Sequence, residues 1–407
     1  MSIGLSERAG AIAGSATMAV SARAAELRAA GNRVVSFGAG EPDFPTPGHI
    51  VEAAQRACAD PVNHRYTSSA GLAELRRAVA ESVLADTGLA IDKTDVLVTN
   101  GAKQAVYLAC MVLLNPGDEA LVPSPYWTTY PEAVRLTGAT PVPVRSDPAR
   151  DYKVTPEALD AHLTPRTKVL LFGSPANPTG TVYTPEEIRA IGDWAAQRGI
   201  WVISDEIYQH LLYDGAVAAS MPVAAPGVRD QCIVIGGVSK TYAMTGWRVG
   251  WLYGPAGAVK AAVNLQSHMS SNVSNVAQAA AMAALRAGRP GFEDVLASYD
   301  RRRHLMVDIL QGIRGVDCPT PTGAFYCFPS VKRLLTRSIL GHSFASTAEL
   351  ATFVLDRVSV ALLPGEAFGA PGCLRLSYAL DDQSLQTGLE RLQRLLSSQD
   401  LPRAHVH

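Results

Sequence analysis

Between residues 71 and 255, short apolar runs alternate with longer segments of helical character, and this alternation restricts the folds available to the chain. The runs are rich in valine, isoleucine and leucine, which is typical of strands that are buried on both faces. They lie at residues 96–98, 120–122, 169–172, 201–203 and 232–235. Strands separated by helices form a mostly parallel sheet with helices on both sides. The sequence therefore predicts an α/β fold.

Polar or aromatic residues follow these runs at the points where the predicted strands end. In parallel sheets, ligands bind at the carboxyl ends of the strands. Five separate strand ends supply such residues here, and core packing alone does not explain so many. The residues are 100–103, Trp127, Asn177, Asp205 and Lys240. We therefore expect them to line one ligand site.

Lys240 lies in a glycine-rich turn between the run at 232–235 and a further apolar run at 249–253. A lysine close to the core loses hydration, which lowers its pKa and makes the neutral amine available as a nucleophile. Ser239 precedes it and Arg248 follows in the same turn, so the sequence predicts an anion-binding group beside a nucleophile. A surface lysine in a loop is the alternative explanation.

The composition excludes several classes of protein. A chain of 407 residues is too long for one ordinary core, so a large and a smaller domain are expected. The formal net charge of −1 argues against a protein that binds nucleic acid or anionic membranes. The six cysteines include no C-x-x-C pair and the nine histidines form no metal-ligand pattern, which predicts a cytoplasmic protein without a metal site. No segment reaches the roughly 20 apolar residues of a membrane span.

Four motifs occur in order along the chain. They are Asn177-Pro178-x-Gly180, Ser204-Asp205-Glu206-x-Tyr208, Ser239-Lys240-x-x-x-Met244-x-Gly246-x-Arg248 and Leu374-Arg375-Leu376-Ser377-Tyr378. On these motifs the chain resembles the fold-type I, pyridoxal-phosphate-dependent aminotransferases of class I/II, and it is most similar to their bacterial aspartate and aspartate/prephenate branch. The resemblance implies a large domain, residues 50–295, with a mostly parallel seven-stranded sheet flanked by helices. It also implies a smaller α+β domain, residues 1–49 and 296–407, that closes over the substrate.

The resemblance assigns roles to the cofactor residues. Lys240 corresponds to the lysine that forms a Schiff base with pyridoxal phosphate and then shuttles a proton. Asp205 corresponds to the carboxylate that pairs with the ring nitrogen. Tyr208 and Asn177 correspond to the residues that donate hydrogen bonds to the ring oxygen. Trp127 corresponds to the aromatic residue that stacks on the ring. The residues implied for the phosphate are Gly101, Ala102, Lys103, Ser239 and Arg248. Taken alone, Asp205 could be a helix N-cap, Asn177 a turn residue and Trp127 a core side chain.

Substrate contacts are implied in the same way. Arg375 corresponds to the arginine that binds the substrate α-carboxylate, Gly40 to a loop residue whose backbone borders it, and Trp127 and Asn177 also face the substrate. Arg375 could be a surface arginine, but its apolar neighbours favour a bound anion. Tyr66 corresponds to a tyrosine that reaches the phosphate in the neighbouring subunit, which implies a homodimer with shared active sites.

The implied activity is a ping-pong transfer of an amino group from aspartate, glutamate or a prephenate-like compound to a 2-oxo acid such as 2-oxoglutarate. The sequence departs from some branches of the family because no arginine lies between Lys260 and Arg286, where those branches bind a side-chain carboxylate. Lys103, His268 or a residue of the partner subunit are the alternatives for that contact.

Three other functions remain open at this stage. The same cofactor residues serve β- or γ-elimination, replacement and synthase reactions. A catalytically silent cofactor-binding regulator would carry a helix-turn-helix domain ahead of this one, and the sequence before residue 15 does not predict it. A nicotinamide oxidoreductase would need G-x-G-x-x-G after the first strand, whereas Gly38-Ala39-Gly40 leads into Glu41-Pro42-Asp43.

Overall fold

The computed structural model describes residues 6–12, 14 and 16–398 of the chain. The strands within these residues are β1 Val35–Ser36, β2 Val96–Thr99, β3 Glu119–Ser124, β4 Thr140–Arg145, β5 Thr167–Gly173, β6 Trp201–Asp205, β7 Cys232–Gly237, β8 Gly250–Tyr253, β9 Tyr326–Cys327, β10 Val360–Ala361, β11 Leu363–Pro364 and β12 Leu374–Ser377. The α-helices are α1 Glu7–Gly10, α2 Ala16–Ala29, α3 Gly48–Ala59, α4 Ala73–Thr87, α5 Ala102–Leu113, α6 Thr129–Leu136, α7 Pro156–Asp160, α8 Pro185–Arg198, α9 Met221–Ala224, α10 Ala256–Met269, α11 Asn275–Ala287, α12 Phe292–Gln311, α13 Lys332–Leu335, α14 Thr347–Val358 and α15 Asp382–Leu396. Short 3-10 helices lie at Pro61–His64, Lys93–Asp95, Pro148–Arg150, Pro226–Gln231, Thr245–Trp247 and Gly365–Phe368. In this part of the chain, no helix is both long and apolar enough to cross a bilayer.

Seven strands form the central sheet, in the order β2-β8-β7-β6-β5-β3-β4. The strands from β7 to β4 in this order run parallel to one another, whereas β8 runs antiparallel to both β2 and β7. The α/β class and the mostly parallel seven-stranded sheet predicted from the sequence are confirmed. Because β3, β5, β6 and β7 are parallel, their carboxyl ends meet at one edge of the sheet.

The strands of this sheet are apolar on both faces because helices cover both. In β2, Leu97 joins an apolar cluster that contains Val122, whereas its neighbour Val98 joins a different cluster that contains Val202. Successive side chains of a strand point to opposite faces, so the two clusters lie on opposite sides of the sheet. Residues of α3, α4, α8 and α11 belong to the cluster of Val98, and residues of α5, α6 and α10 to that of Leu97.

The apolar pattern of the sequence does not predict strand β4. Its sequence contains Pro141 and Pro143, and proline cannot donate a main-chain hydrogen bond, so such a run argues against a central strand. The structure places β4 at the edge of the sheet, where it pairs with β3 alone. Because an edge strand needs hydrogen bonds on one side only, both prolines are tolerated there.

A further apolar cluster is formed mainly by the elements that follow α11, together with Phe37 and with residues between β6 and α9. There β11, β12 and β9 form an antiparallel sheet in that order, and β1 pairs with β10 in parallel. The closing helix predicted at residues 382–396 is confirmed as α15, which buries Leu385, Leu389, Leu392 and Leu396 at helical spacing. The predicted helix start at Thr184 is also confirmed, because Thr184 and Glu187 form a reciprocal capping box ahead of α8.

Candidate active site

The carboxyl edge of the central sheet opens into a cavity of about 570 Å³. Its wall contains most of the residues predicted from the sequence, from both halves of the chain. These are Gly40, Ala102, Lys103, Trp127, Asn177, Asp205, Tyr208, Ser239, Lys240, Arg248 and Arg375. The structure therefore brings together residues that are up to 335 positions apart, counting from Gly40 to Arg375.

Lys240 follows β7 and extends into this cavity. Its Nζ atom donates a hydrogen bond of 2.5 Å to the main-chain oxygen of Gly40 and lies 5.7 Å from the centre of the Tyr208 ring. Desolvation, together with repulsion from Arg375, lowers the lysine pKa to about 8. A substantial share of the side chain is then neutral near physiological pH, as a nucleophilic amine requires.

Asp205 ends β6 and is buried, with 6% of its surface exposed. Its carboxylate accepts hydrogen bonds from the Tyr130 hydroxyl at 2.9 Å and from the main-chain N–H of Ile207 at 3.2 Å. Burial raises the pKa of the carboxyl group, while these two bonds and the charge of Lys240 act in the opposite direction. Within the described residues its hydrogen-bond donors are neutral, so a cationic group entering the cavity would be complementary to it.

The start of α5 and the turn after Lys240 meet at one end of the cavity. Gly101 precedes α5 with a φ of 80°, and a Cβ atom there would lie 2.4 Å from Nη2 of Arg248. This close approach requires glycine. Arg248 donates to the main-chain oxygens of Thr245 and Asn100.

Lys103 lies near this end, with Nζ 5.2 Å from the centre of the Trp127 ring. Burial and the nearby charge of Arg248 lower its pKa. Among the described residues, neither Lys103 nor Arg248 has a carboxylate partner, so the two cations and the free N–H groups at the start of α5 form a site for an anion.

Arg375 lies on β12 and is buried, with 3% of its surface exposed. Its guanidinium donates to Asn177 Oδ1 at 3.1 Å and to the main-chain oxygen of Gly38 at 2.8 Å, while its Nε has no partner. Neither acceptor is a carboxylate. A buried guanidinium whose partners in the described part of the chain are neutral favours binding of an anionic group from the cavity.

Three residues with ionisable side chains line the cavity but were not among the predicted site residues: Tyr130, Tyr326 and Glu41. Tyr130 packs edge-on against Trp127 at 5.5 Å and donates to Asp205. Its position three residues after Trp127, at the start of helix α6 and shortly after the end of β3, is a signal that could have indicated it. Tyr326 lies in an apolar run that is typical of core, and Glu41 lies in a proline-rich loop, so neither residue had a clear signal.

Three of the predicted residues are not in the cavity wall. Asn100 lies beside it, where its main-chain oxygen accepts a hydrogen bond from Arg248. Gly101 lies just behind the wall, against Arg248. Tyr66 is 88% exposed on the surface of this chain. Of the two residues proposed for a side-chain carboxylate, Lys103 lines the cavity, whereas His268 is exposed at the end of α10 and does not.

A model of the family described as aminotransferase class I and II matches residues 32–392 of this sequence. The chain belongs to this family. It is 56% identical over 393 residues to an aspartate aminotransferase of Streptomyces avermitilis, with 97% of this chain and 96% of that protein covered. It is 39% identical to an aspartate/prephenate aminotransferase of Cereibacter sphaeroides, with 96% and 98% covered.

Solved structures agree with this membership. The aspartate aminotransferase of Rhizobium meliloti superposes with a TM-score of 0.93 at 35% identity, covering 97% of this chain and 99% of that one. The Thermus thermophilus aspartate aminotransferase with maleate superposes with a TM-score of 0.90 at 38% identity, covering 97% and 100%. The predicted resemblance is confirmed, and the protein is a pyridoxal-phosphate-dependent enzyme that transaminates amino acids with 2-oxo acids.

The chemistry of the cavity fits this cofactor. Lys240 offers an amine with a pKa of about 8 for the aldehyde. The buried carboxylate of Asp205 complements a protonated ring nitrogen, and Arg248 with the start of α5 complements a phosphate dianion. Lys240, Asp205, Arg248 and Ala102 at the start of α5 line the same cavity.

Proposed function

We propose that this aminotransferase takes the amino group of a dicarboxylic amino acid, aspartate in the first instance, and passes it to a 2-oxo acid such as 2-oxoglutarate in a ping-pong sequence. One observation carries the proposal: besides Arg248, which faces the start of α5, the cavity of Lys240 holds two cations, Arg375 and Lys103, that have no carboxylate partner among the described residues. Two carboxylates of one substrate would pair with them. Several of the relatives are named as aspartate aminotransferases, which supports the same choice.

Each cofactor-facing residue then has a task that follows from its contacts. When bound, pyridoxal phosphate supplies an electron-accepting ring that stabilises negative charge at the substrate Cα. Lys240 Nζ would hold the cofactor through its aldehyde group, and the same amine would act as the general base and acid for the substrate Cα proton. Asp205 keeps the ring nitrogen protonated, and Tyr130 holds the Asp205 carboxylate in place. Trp127 would pack on the ring, and Tyr208 and Asn177 would donate to its oxygen.

The remaining contacts orient the phosphate and the substrate. Arg248, Ser239, Gly101 and Ala102 hold the phosphate at the start of α5. Arg375 binds the α-carboxylate through two N–H groups of its guanidinium. The hydrogen bonds from Arg375 to Asn177 Oδ1 and to the Gly38 oxygen fix the orientation of this guanidinium. Lys103 takes the side-chain carboxylate, a contact that His268 cannot supply from outside the cavity.

We also propose that the enzyme is a homodimer with shared active sites. Tyr66 supports this, because an 88% exposed tyrosine on a well-anchored segment is unusual for a free surface. The segment is anchored by Asn275, whose side chain donates to the main-chain oxygens of Asn63 and Arg65. In the dimer, Tyr66 would reach the phosphate in the neighbouring subunit.

Domain closure and location complete the proposal. Residues 1–49 and 296–407 would act as a lid over residues 50–295, since Gly40 and Arg375 come from the former and Asp205 and Lys240 from the latter. All six cysteines are free thiols, which supports a cytoplasmic location.

A half-reaction tests the substrate assignment. Purified enzyme is mixed with aspartate alone, and conversion of the cofactor to its amino form is followed by absorbance. Asparagine, a neutral isostere of aspartate, is the matched control. We expect kcat/KM for aspartate to exceed that for asparagine by about tenfold or more, because the neutral side chain leaves Lys103 unpaired.

The variant Lys103→Met should remove most of this preference and change asparagine turnover little. Equal rates for the two amino acids in the wild-type enzyme would contradict the assignment. Release of ammonia in place of amino-group transfer would favour an elimination reaction instead.

A further inference from the structure

Tyr326 forms part of the cavity wall, although nothing in the motifs assigns it a role. It lies on β9, is fully buried, and lines the same cavity as Lys240 and Arg375. In the register of the small sheet it stands opposite Ser377 of β12. Arg375 is two residues before Ser377, so the side chains of Arg375 and Tyr326 lie on one face as diagonal neighbours.

The Tyr326 hydroxyl contacts the residue proposed to donate to the cofactor ring oxygen. Its oxygen lies 2.8 Å from the hydroxyl oxygen of Tyr208, and the two rings meet edge-on at 5.9 Å. The Tyr326 hydroxyl also lies close to Gly40: a Cβ atom at that position would be 3.1 Å from the hydroxyl oxygen. Since both hydroxyls are buried, each depends on the other for a hydrogen-bond partner.

The Tyr326 ring contacts the residue proposed to bind the substrate carboxylate. The central carbon of the Arg375 guanidinium lies 4.5 Å from the centre of this ring, within the range of a cation–π contact. The guanidinium carbon also lies 5.1 Å from the centre of the Phe368 ring. Arg375 therefore contacts two aromatic rings, and the nearer one belongs to the tyrosine that hydrogen-bonds Tyr208.

We propose that Tyr326 is a positioning residue that serves both ends of the site, its hydroxyl by holding the Tyr208 hydroxyl and its ring by holding the Arg375 guanidinium. This inference rests on the roles proposed above for Tyr208 and Arg375. A hydroxyl that donates to Tyr208 polarises the Tyr208 O–H and strengthens its own donation to the cofactor. A ring fixed by strand pairing limits the rotation of the guanidinium, so less freedom is lost when a carboxylate binds.

The two functions are separable because one belongs to the hydroxyl and the other to the ring. The variant Tyr326→Phe removes the hydroxyl and keeps the ring, whereas Tyr326→Leu removes both. The matched control is Tyr378→Phe, which removes the hydroxyl of a fully buried tyrosine that donates to the main-chain oxygen of Ala324 and does not line the cavity.

The first measurement is a pH titration of the visible absorption of the bound cofactor. In Tyr326→Phe the midpoint should rise by about 0.7 pH unit, which corresponds to a hydrogen bond of about 1 kcal/mol at about 1.4 kcal/mol per pKa unit. The direction is upward because donation from Tyr208 to the ring oxygen favours the unprotonated chromophore. Tyr378→Phe should leave the midpoint unchanged.

The second measurement is the Kd of maleate, a dicarboxylate that cannot transaminate, obtained from the spectral change of the bound cofactor. Tyr326→Leu should raise this Kd about fivefold, as loss of a cation–π contact predicts, whereas Tyr326→Phe should change it less than about twofold. Circular dichroism and the Tm of each variant establish that it is folded. If Tyr326→Leu does not fold, the titration of Tyr326→Phe decides.

The inference is overturned if Tyr326→Phe leaves the titration midpoint where it is in the wild type. It is also overturned if Tyr378→Phe shifts the midpoint by the same amount, or if Tyr326→Phe and Tyr326→Leu weaken maleate binding equally. The titration of the bound cofactor does not depend on which amino acid the enzyme prefers. An error in the proposed substrate would instead appear in the wild-type protein as the missing half-reaction with aspartate.

Discussion

At the scale of single residues, burial is the main cause of the pKa shifts in the cavity, and it acts on the amine and the carboxyl group in opposite directions. It lowers the pKa of Lys240 to about 8 and raises that of Asp205. Each shift favours the neutral form of a group that forms no direct ion pair within the described residues. Binding of a protonated ring nitrogen would reverse the shift of Asp205, because the carboxylate would then gain the cation that it lacks.

The pH dependence of cofactor binding follows from the Lys240 pKa. Only the neutral amine attacks an aldehyde. Because the Lys240 pKa is lowered from its ordinary value, this amine loses its proton at a pH of about 8. The rate at which the apoenzyme combines with pyridoxal phosphate should therefore increase with pH, with a midpoint near pH 8. Below that pH most of the lysine is protonated and the reaction should be slow. Stopped-flow absorbance measures this rate. Lys240→Ala should show no such reaction, and a midpoint near pH 10 would contradict the expectation.

The contact between Tyr130 and Asp205 predicts a graded pair of variants. Asp205→Asn removes the charge that complements the ring nitrogen and should lower kcat by about 10²- to 10³-fold, since truncating a buried charge pair costs about 2–5 kcal/mol. Tyr130→Phe removes one hydrogen bond to that charge and should lower kcat about tenfold. Steady-state kinetics measure both effects. A loss in Tyr130→Phe as large as that in Asp205→Asn would show that Tyr130 does more than hold the carboxylate.

At the scale of elements, helix α12 holds the loop that brings Gly38 and Gly40 into the site. Arg302 of α12, with 8% of its side chain exposed, pairs with Asp43 of that loop at 2.9 Å and with Asp382 of α15 at 2.6 Å. Its guanidinium also lies 5.3 Å from the centre of the Phe44 ring. One buried arginine therefore connects two helices to the loop whose carbonyl oxygens contact Arg375 and Lys240.

This connection can be tested with neighbouring arginines. Arg302→Met should lower the free energy of unfolding by about 3 kcal/mol, because it leaves the partly buried Asp43 without its counter-ion. It should also raise KM, since the loop loses its anchor. Arg301→Met is the matched control: Arg301 pairs with the same Asp382 but is 60% exposed, so its loss should cost less than about 1 kcal/mol. Urea unfolding of the apoenzyme measures both values, and equal losses would contradict the argument.

At the scale of the whole molecule, the proposed sharing of active sites predicts complementation between two defective variants. Lys240→Ala lacks the nucleophile and Tyr66→Ala lacks the residue proposed to cross the interface. In a mixed dimer, one site would receive both defects and the other would receive wild-type Lys240 and Tyr66. Random mixing at equal amounts, after unfolding and refolding together, should restore roughly a quarter of wild-type activity.

Refolding each variant alone is the control, because neither homodimer contains an intact site. If Tyr66 served its own chain, every mixed dimer would combine one site without Lys240 and one site without Tyr66. The mixture would then show only the average of the two homodimers.

Much of the architecture and most of the cavity could be predicted from the sequence. Short apolar runs separated by helices indicate buried parallel strands, and a polar residue just after such a run, as at Asp205, must lie at the carboxyl edge of the sheet. The placement of Lys240 between two apolar runs likewise predicts a sheltered amine. These inferences use only local patterns and one geometric rule, whereas Gly40, Tyr208 and Arg375 were predicted from the resemblance to the family.

Other features were decided by tertiary structure alone. Strand β4 is compatible with Pro141 and Pro143 only because pairing places it at the sheet edge. The apolar run around Tyr326 predicts only that this residue is buried in the core. Its contacts with Tyr208 and Arg375 exist because β9 pairs with β12 beside the cavity. The physical reason is general: the apolar pattern shows that a side chain is buried, but which polar group it meets there depends on strand order and register, which join residues far apart in the chain.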